Sequence, residues 1–307
     1  MATFDRTTIV RGPCKITYDG STFFSKGGVK MTMNQSTFDK DTDAYGMVGK
    51  AKTDMQIVVE FEPVGEIEAF GFALFPYANT ASGTSIFGSA DKPLVIIALD
   101  ATYTILNAAI TKLPSIRCTA TNTVFGSVQF TGLLKKSGDP NLLASYYTRS
   151  AATGVVYDAA FSPATIIAAP YKATLGVTTA FDSSDGFEIS FDLALNPIVI
   201  DGYGTVSMSF NNIGATISCT PVGVTDDFFD TYFGGIDNGE ELPVSTLDIS
   251  ATGVTGSLNF DCAAVQIISL DRAWSTSENR LGKLTMAAKR TFSTGTPVAL
   301  FTVAATA

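Results

Sequence analysis

The sequence predicts a mainly β protein in which one strand-rich unit is written twice, each copy with a single flanking helix. Two observations lead to this reading. Apolar and polar residues alternate with period two through several segments, and an internal repeat runs along the chain at a near-constant spacing. Alternation of that kind puts successive side chains on opposite faces of a strand, one buried and one wet. In Gln56–Glu62, Ile57, Val59 and Phe61 share one face, while Gln56, Glu60 and Glu62 share the other.

The repeat is clearest where Asp43-Ala44-Tyr45-Gly46 returns as Asp201-Gly202-Tyr203-Gly204 and Pro63-Val64-Gly65 returns as Pro221-Val222-Gly223, both 158 residues later. Upstream, Val29–Asn34 matches Phe187–Asp192 at the same spacing, with apolar and polar positions in phase. Pro13 and Lys15 correspond to Pro170 and Lys172, Ala108-Ala109-Ile110 resembles Ala263-Ala264-Val265, and Gly126 resembles Gly282, at spacings of 155 to 157. Small loop insertions account for that drift. The matches divide the chain into a first copy over residues 1–150, a bridge over 151–168 and a second copy over 169–307. The bridge is rich in small residues and carries no basic charge, which suits an ordered connection better than a flexible tether.

Further strands are expected at Leu94–Leu99, Ser127–Leu134 and Lys283–Ala288, and Ile217 and Cys219 alternate with Ser218 and Thr220 as their counterparts do in the first copy. A helix is expected after each Pro-Val-Gly turn. In the first copy Ile67, Phe70 and Leu74 recur at helical spacing before Pro76. In the second, Thr225 can cap a helix with Asp226 and Asp227 in its first turn, and Phe228, Phe229, Tyr232 and Phe233 give it a wide aromatic face.

Composition removes whole classes of chemistry. The 307 residues include no histidine, so Ser-His-Asp and Cys-His nucleophiles, HExxH zinc sites and imidazole acid–base catalysts cannot be built. A net charge of −9 has the wrong sign for gripping phosphate backbones. Charged residues are only 16% of the chain, which would leave a monomer with an apolar surface and is better accommodated by burial between subunits. Cys14, Cys118, Cys219 and Cys262 are too scattered for CxxC pairs and read as free thiols of a reducing compartment. The start MATFDRTTIV lacks the basic and apolar runs of a secretion signal, and no apolar run reaches the roughly 20 residues of a bilayer span, so no membrane insertion is expected.

Motif matches are weak throughout. Gly202-Tyr203-Gly204 starts like a phosphate loop but ends in Ser207, and Gly83–Phe87 has phenylalanine where a nucleophile elbow needs its last glycine. Asp237-Asn238-Gly239-Glu240-Glu241 lacks the ligand spacing of a calcium loop, and Trp274 has no basic residues interleaved for base stacking. No catalytic residue, cofactor or metal is assigned. An enzyme would have to rest on a carboxylate pair, such as that of a glycosidase, which no spacing selects.

The order of several segments resembles the major tail tube proteins of long-tailed phages. These are Gly12-Pro13 with Lys15-Ile16-Thr17-Tyr18, Thr22-Phe23-Phe24-Ser25-Lys26, Thr37-Phe38-Asp39, Asp43–Gly46, Phe61–Glu66, Leu74-Phe75-Pro76-Tyr77, Ile86-Phe87-Gly88 and Asn107–Pro114. The match covers almost all of the first copy; in the second it rests on the internal repeat, since Phe75-Pro76-Tyr77 and Ile86-Phe87-Gly88 have no counterpart there.

The resemblance implies a β-sandwich or barrel with a flanking helix, six of which form a ring around a channel that conducts DNA. Two units per chain then imply a homotrimeric ring of pseudo-hexamer symmetry, stacked helically into a tube in the virion tail after assembly in the host cytoplasm. Implied partners are further copies of the chain, tape measure, distal tail and tail terminator proteins, and duplex DNA passing without tight binding. An inner tube or a distal-tail adaptor ring of a related injection apparatus is the alternative. On this reading Glu60, Glu62, Lys30, Glu188, Ser218 and Thr220 are candidates to line the channel, where surplus acid would repel phosphates. The polar turn bearing Asp39, Lys40, Asp41, Asp43, Tyr45 and Lys50 is the candidate ring-stacking loop, with Asn196–Gly204 as its more apolar equivalent.

Overall fold

Period-two burial organises the molecule. In the computed structural model, which describes residues 14–64, 74–88, 90–98, 101–151, 169–176, 179–225, 227–233, 240–251, 254–273, 281–293 and 296–305, Met55, Ile57, Val59 and Phe61 are buried while Glu62 stands in solvent. The strands of the first half are β1 (Lys15–Tyr18), β2 (Ser21–Thr42), β3 (Gly46–Val64), β4 (Leu94–Ile97), β5 (Ala101–Ile105), β6 (Asn107–Lys112), β7 (Ile116–Thr119), β8 (Asn122–Phe125), β9 (Val128–Leu133) and β10 (Tyr147–Ala151). Those of the second half are β11 (Lys172–Leu175), β12 (Thr179–Ile200), β13 (Gly204–Val222), β14 (Ser245–Ser250), β15 (Leu258–Arg272), β16 (Leu281–Ala288), β17 (Phe292–Ser293), β18 (Thr296–Pro297) and β19 (Thr302–Ala305).

Two large antiparallel sheets result. One has the order β10-β5-β4-β1-β2-β3-β9-β6. In the other, β11-β14-β15-β16-β13-β12 closes through the pairing of β11 with β12 into a six-stranded barrel, with β19 added to β15 and β7-β8 added to β12. The halves share a strand order: β4-β1-β2-β3-β9-β6 in one corresponds to β14-β11-β12-β13-β16-β15 in the other. They differ in closure. In the second half β14 pairs with β15, whereas in the first β5 lies along β4, and β6 meets that side through the bonds from Ala108 N–H to the Lys92 carbonyl (2.8 Å) and from the Tyr18 hydroxyl to the Ala108 carbonyl (3.1 Å).

Both long hairpins carry a bulge at the same place. In β2 the register shifts between Lys26 and Val29, with Gly27 and Gly28 at φ +83° and +102°; in β12 it shifts between Ser183 and Phe187, with Gly186 at φ +86°. Positive φ there needs glycine, and the bulge twists the strand and re-aims the residues that follow.

The helix expected over Thr225–Phe233 is not an α-helix. Bonds from Phe228 N–H to Thr225 O, Tyr232 N–H to Phe229 O and Phe233 N–H to Asp230 O span three residues each, and only Asp230–Tyr232 forms a 3₁₀ turn. The aromatic spacing instead serves packing: Phe229 is buried and meets Phe181 edge-on at 5.8 Å. Ile67 and Phe70 of the other expected helix, Gly12, Pro13, Asp226, the Asp237-Asn238-Gly239 run, Trp274 and residues 152–168 of the bridge lie outside the described residues.

One large apolar core runs through both halves, beside a small second cluster of Phe87, Ala109 and Leu133. In the first half, fully buried Phe130 meets Tyr18 at 4.8 Å and Phe61 at 5.9 Å. Truncating such a phenylalanine removes its transfer energy and leaves a cavity, a loss of about 3–5 kcal/mol. Phe130→Ala should therefore lower the urea midpoint by that equivalent, and an unchanged midpoint would place Phe130 outside the core.

Candidate assembly surface

The two halves meet by strand addition. After Lys112 the chain leaves the first sheet through Leu113-Pro114-Ser115, where Pro114 offers no N–H to continue a ladder. It re-enters the second sheet as β7, paired antiparallel with β12 in the register Ile116 to Ile189, Arg117 to Glu188 and Cys118 to Phe187. The approach is close: a Cβ at Gly186 would stand 2.3 Å from the Cys118 carbonyl oxygen, so only glycine fits the bulge beside β7. Phe187 lies between Cys118 and Cys219 across the sheet, and burial pushes both thiols up to about 12, leaving them unreactive. The described cysteines are all free, three buried and Cys14 half-buried.

The hairpin arm of β12 and β13 returns the contact by lying across the first half. Asp54 accepts from Thr205 N–H at 3.1 Å and from the Thr205 hydroxyl at 2.7 Å, and Gln56 Nε2 donates to the same hydroxyl at 3.3 Å. Gly83 N–H donates to Phe210 O, Phe210 N–H to Thr84 O, and Ile86 N–H to Met208 O, which lays residues 83–86 beside β13 through an isolated bridge between Ser85 and Ser209. Phe75 from the first half enters the second, with ring centroids 5.1 Å from Phe191 and 6.0 Å from Phe301. Arg290 crosses the other way, donating to the Thr80 carbonyl over the Phe210 ring.

The corresponding surfaces of the first half stand open. Val29–Met31 occupy the positions of Phe187–Ile189; they pair with β3 on one side and, among the described residues, with no strand on the other. Phe187 and Ile189 are buried, whereas Val29 and Met31 are only half-buried. A Cβ at Gly28, the counterpart of Gly186, would meet nothing within 4 Å.

The channel candidates lie on one face of these sheets, and cross-strand register pairs each acid with a base. Glu60 stands opposite Lys30 and Glu62 opposite Lys26 in β2, and Glu188 stands opposite Arg117 in β7. Glu60 also accepts from the Ser127 hydroxyl at 2.8 Å. Ser218 lies beside Glu188, and Thr220 donates to Asp185 at 3.2 Å. The face is therefore charge-balanced, not the acidic wall that counting glutamates alone suggests; the bulge at Gly27 and Gly28 sets which residues face each other.

The stacking candidates are the end of a regular arm, not an irregular loop. Asp39 pairs with Lys50 as an ion pair at 2.5 Å, Lys40 stands opposite Gly49, and Asp41 opposite Met47. Asp43 and Tyr45 form the tip, where Tyr45 N–H donates to the Thr42 carbonyl and hydroxyl and the Tyr45 ring is 85% exposed. Gly202 and Gly204, at φ +77° and +75°, make the tip turn of the second arm, and Ser85 bridges to Ser209.

No protein-family model and no curated protein matches this chain. Among the described residues no helix is long and apolar enough to cross a membrane, and no group of three or more metal-ligating side chains comes together.

One pair escaped the sequence because only strand register creates it: Asp248 in β14 lies directly opposite Asp261 in β15. Burial, then the hydrogen bond and charge of Asp248, push the Asp261 carboxyl up to about 6. The folded state thus holds a proton that the unfolded chain, with an aspartate near its ordinary 3.8, gives up. The stability contributed by that proton is fully present below about pH 4 and is lost as pH rises through about 6. Asp261→Asn keeps a donor toward Asp248 at every pH, so it should melt above the parent protein at pH 8 and level with it near pH 4. Equal melting at both pH values would mean that the two carboxyls do not share a proton.

Proposed function

We propose that this chain is a structural, non-catalytic virion subunit that assembles three to a ring, the rings stacking into a phage tail tube that conducts DNA into the host. The observation that carries the reading is a contact made once inside the chain and left over at both ends. β7 completes the β12 edge, while the equivalent β2 edge has no partner among the described residues and its Gly28 is open where a neighbour's carbonyl would come. The hairpin that corresponds to β7 and β8 is the end of β15 and the start of β16, where Arg272 pairs with Leu281. Laid along Val29–Met31 of a neighbouring copy, it repeats the internal junction between chains.

A surface that matches a different surface on the next copy is heterologous, and it closes into a ring when the rotation permits. The shared strand order of the halves and the constant spacing of β2 with β12 and of β3 with β13 support two copies of one tube unit per chain, with the 151–168 segment between them. Six units per ring then correspond to three chains. Exposed strand edges invite such pairing, and ring closure removes them. The charge-balanced face suits a channel wall, since each base that could hold a phosphate is answered by an acid, limiting the counterion release that would make DNA stick.

Two glycine variants separate folding from assembly. Both Gly186→Ala and Gly28→Ala force alanine to positive φ, at about 1–2 kcal/mol. Only Gly186→Ala also drives a methyl into the Cys118 carbonyl, so it should destabilise the monomer by clearly more, whereas Gly28→Ala should cost the monomer that backbone strain alone and fail to form rings. Normal rings from Gly28→Ala would show that the β2 edge is not the contact. Electron microscopy of the purified protein should show rings and sheathless tubes with three chains per ring. Six whole chains per ring would refute the trimer, isolated rings that never stack would favour the adaptor, and monomers under every condition would refute assembly.

A further inference from the structure

Among the described residues, the outer part of the β2–β3 arm, Ser36–Lys50, is almost wholly exposed. It matches the β12–β13 arm residue for residue: both pairs of strands are 22 and 19 residues long, and Asp41 stands opposite Met47 as Val199 stands opposite Thr205. Yet Thr205 is 6% exposed and Met47 60% exposed. Phe38, Tyr45 and Val48 are likewise out in solvent, a concentration of apolar surface on a regular hairpin that normally marks a contact.

We infer that the β2–β3 arm is a lateral clamp, seated on the second half of the neighbouring copy within one ring as the β12–β13 arm is seated on the first half of its own chain. This rests on the ring reading above and departs from a ring-stacking role for Asp39–Lys50. The seat follows from the register. Within the chain Thr205 meets Asp54 and Gln56; at the same spacing, Met47 would meet Asn212 and Gly214. Asn212 is exposed, and a Cβ at Gly214 would find only Asp192 Cβ, at 3.9 Å.

The two contacts are complementary in opposite senses. Inside the chain a small threonine faces a long glutamine, while between chains a long methionine faces a glycine. The main-chain part carries over directly. Thr205 N–H donates to the Asp54 carboxylate, and at the matching position Asn212 Oδ1 offers Met47 N–H an acceptor in place of Asp54 Oδ1. Asn212 and Gly214 leave more room for the long Met47 side chain than Gln56 would, which favours seating this arm on a second half.

Disulfide trapping tests this. Met47→Cys and Asn212→Cys are introduced singly and together in a Cys14→Ser background, and single rings and tubes are oxidised separately. The double variant should give covalent dimers and trimers as major species in single rings, and a mixture of the two single variants should give dimers only. Rings without the cross-link, or a cross-link formed in tubes but absent from single rings, would overturn the lateral seat and leave the tube reading standing. Cross-linked rings that never stack would uphold the seat and overturn the tube. Monomers without any cross-link would overturn both.

Discussion

Three residues of β12, Phe187 to Ile189, would present unpaired amides and carbonyls beside a buried aromatic core if β7 were not laid along them. Backbone polar groups at the rim of a core need partners, and here the partner comes from the other half of the chain. Much of the architecture follows from that need. The β6 strand must end at Lys112 so that Pro114 can carry the chain from one sheet to the other, Gly186 must lack a side chain, and Arg117 arrives opposite Glu188. The strand edge at Val29–Met31 has no such donor among the described residues, and on the proposed reading it is where a second copy is seated.

The internal junction is built more heavily than the one proposed between chains. Phe75 and Tyr77 seal it from the first half, Tyr77 giving its hydroxyl proton to Ile110 O and lying 6.1 Å from Phe210, and the sequence of the second half has no counterpart of this aromatic pair. Tethering makes the inner contact intramolecular and effectively permanent. The proposed outer contact would depend on concentration and form only when copies meet, so the lighter build of that surface suits a subunit that folds first and assembles afterwards.

Strands whose alternation is local were legible in the sequence. Ile57, Val59 and Phe61 face the core as their spacing says, and within the ungapped block Gly46–Val64 forms β3, with β13 at the same spacing. What failed depended on distant partners. The aromatic spacing of Phe228 to Phe233 resembles a helix face, but burial of Phe229 against Phe181 is met by turns bonded at three-residue intervals. Pro114 signals the end of a strand without telling where the next one pairs. The opposition of Glu60 to Lys30 depends on a two-glycine bulge, and that of Asp248 to Asp261 on a register between strands, neither of which any one segment encodes.

Hydrogen exchange at the backbone amides of Val29–Met31 tests the central claim most directly, with Phe187–Ile189 as the internal reference. The account predicts that the reference amides are protected in the monomer and in the assembly alike, and that the outward-facing amide or amides of Val29–Met31 exchange rapidly in the monomer and become protected on assembly. Protection of the β2 edge already in the monomer, or exchange that assembly leaves unchanged, would contradict it.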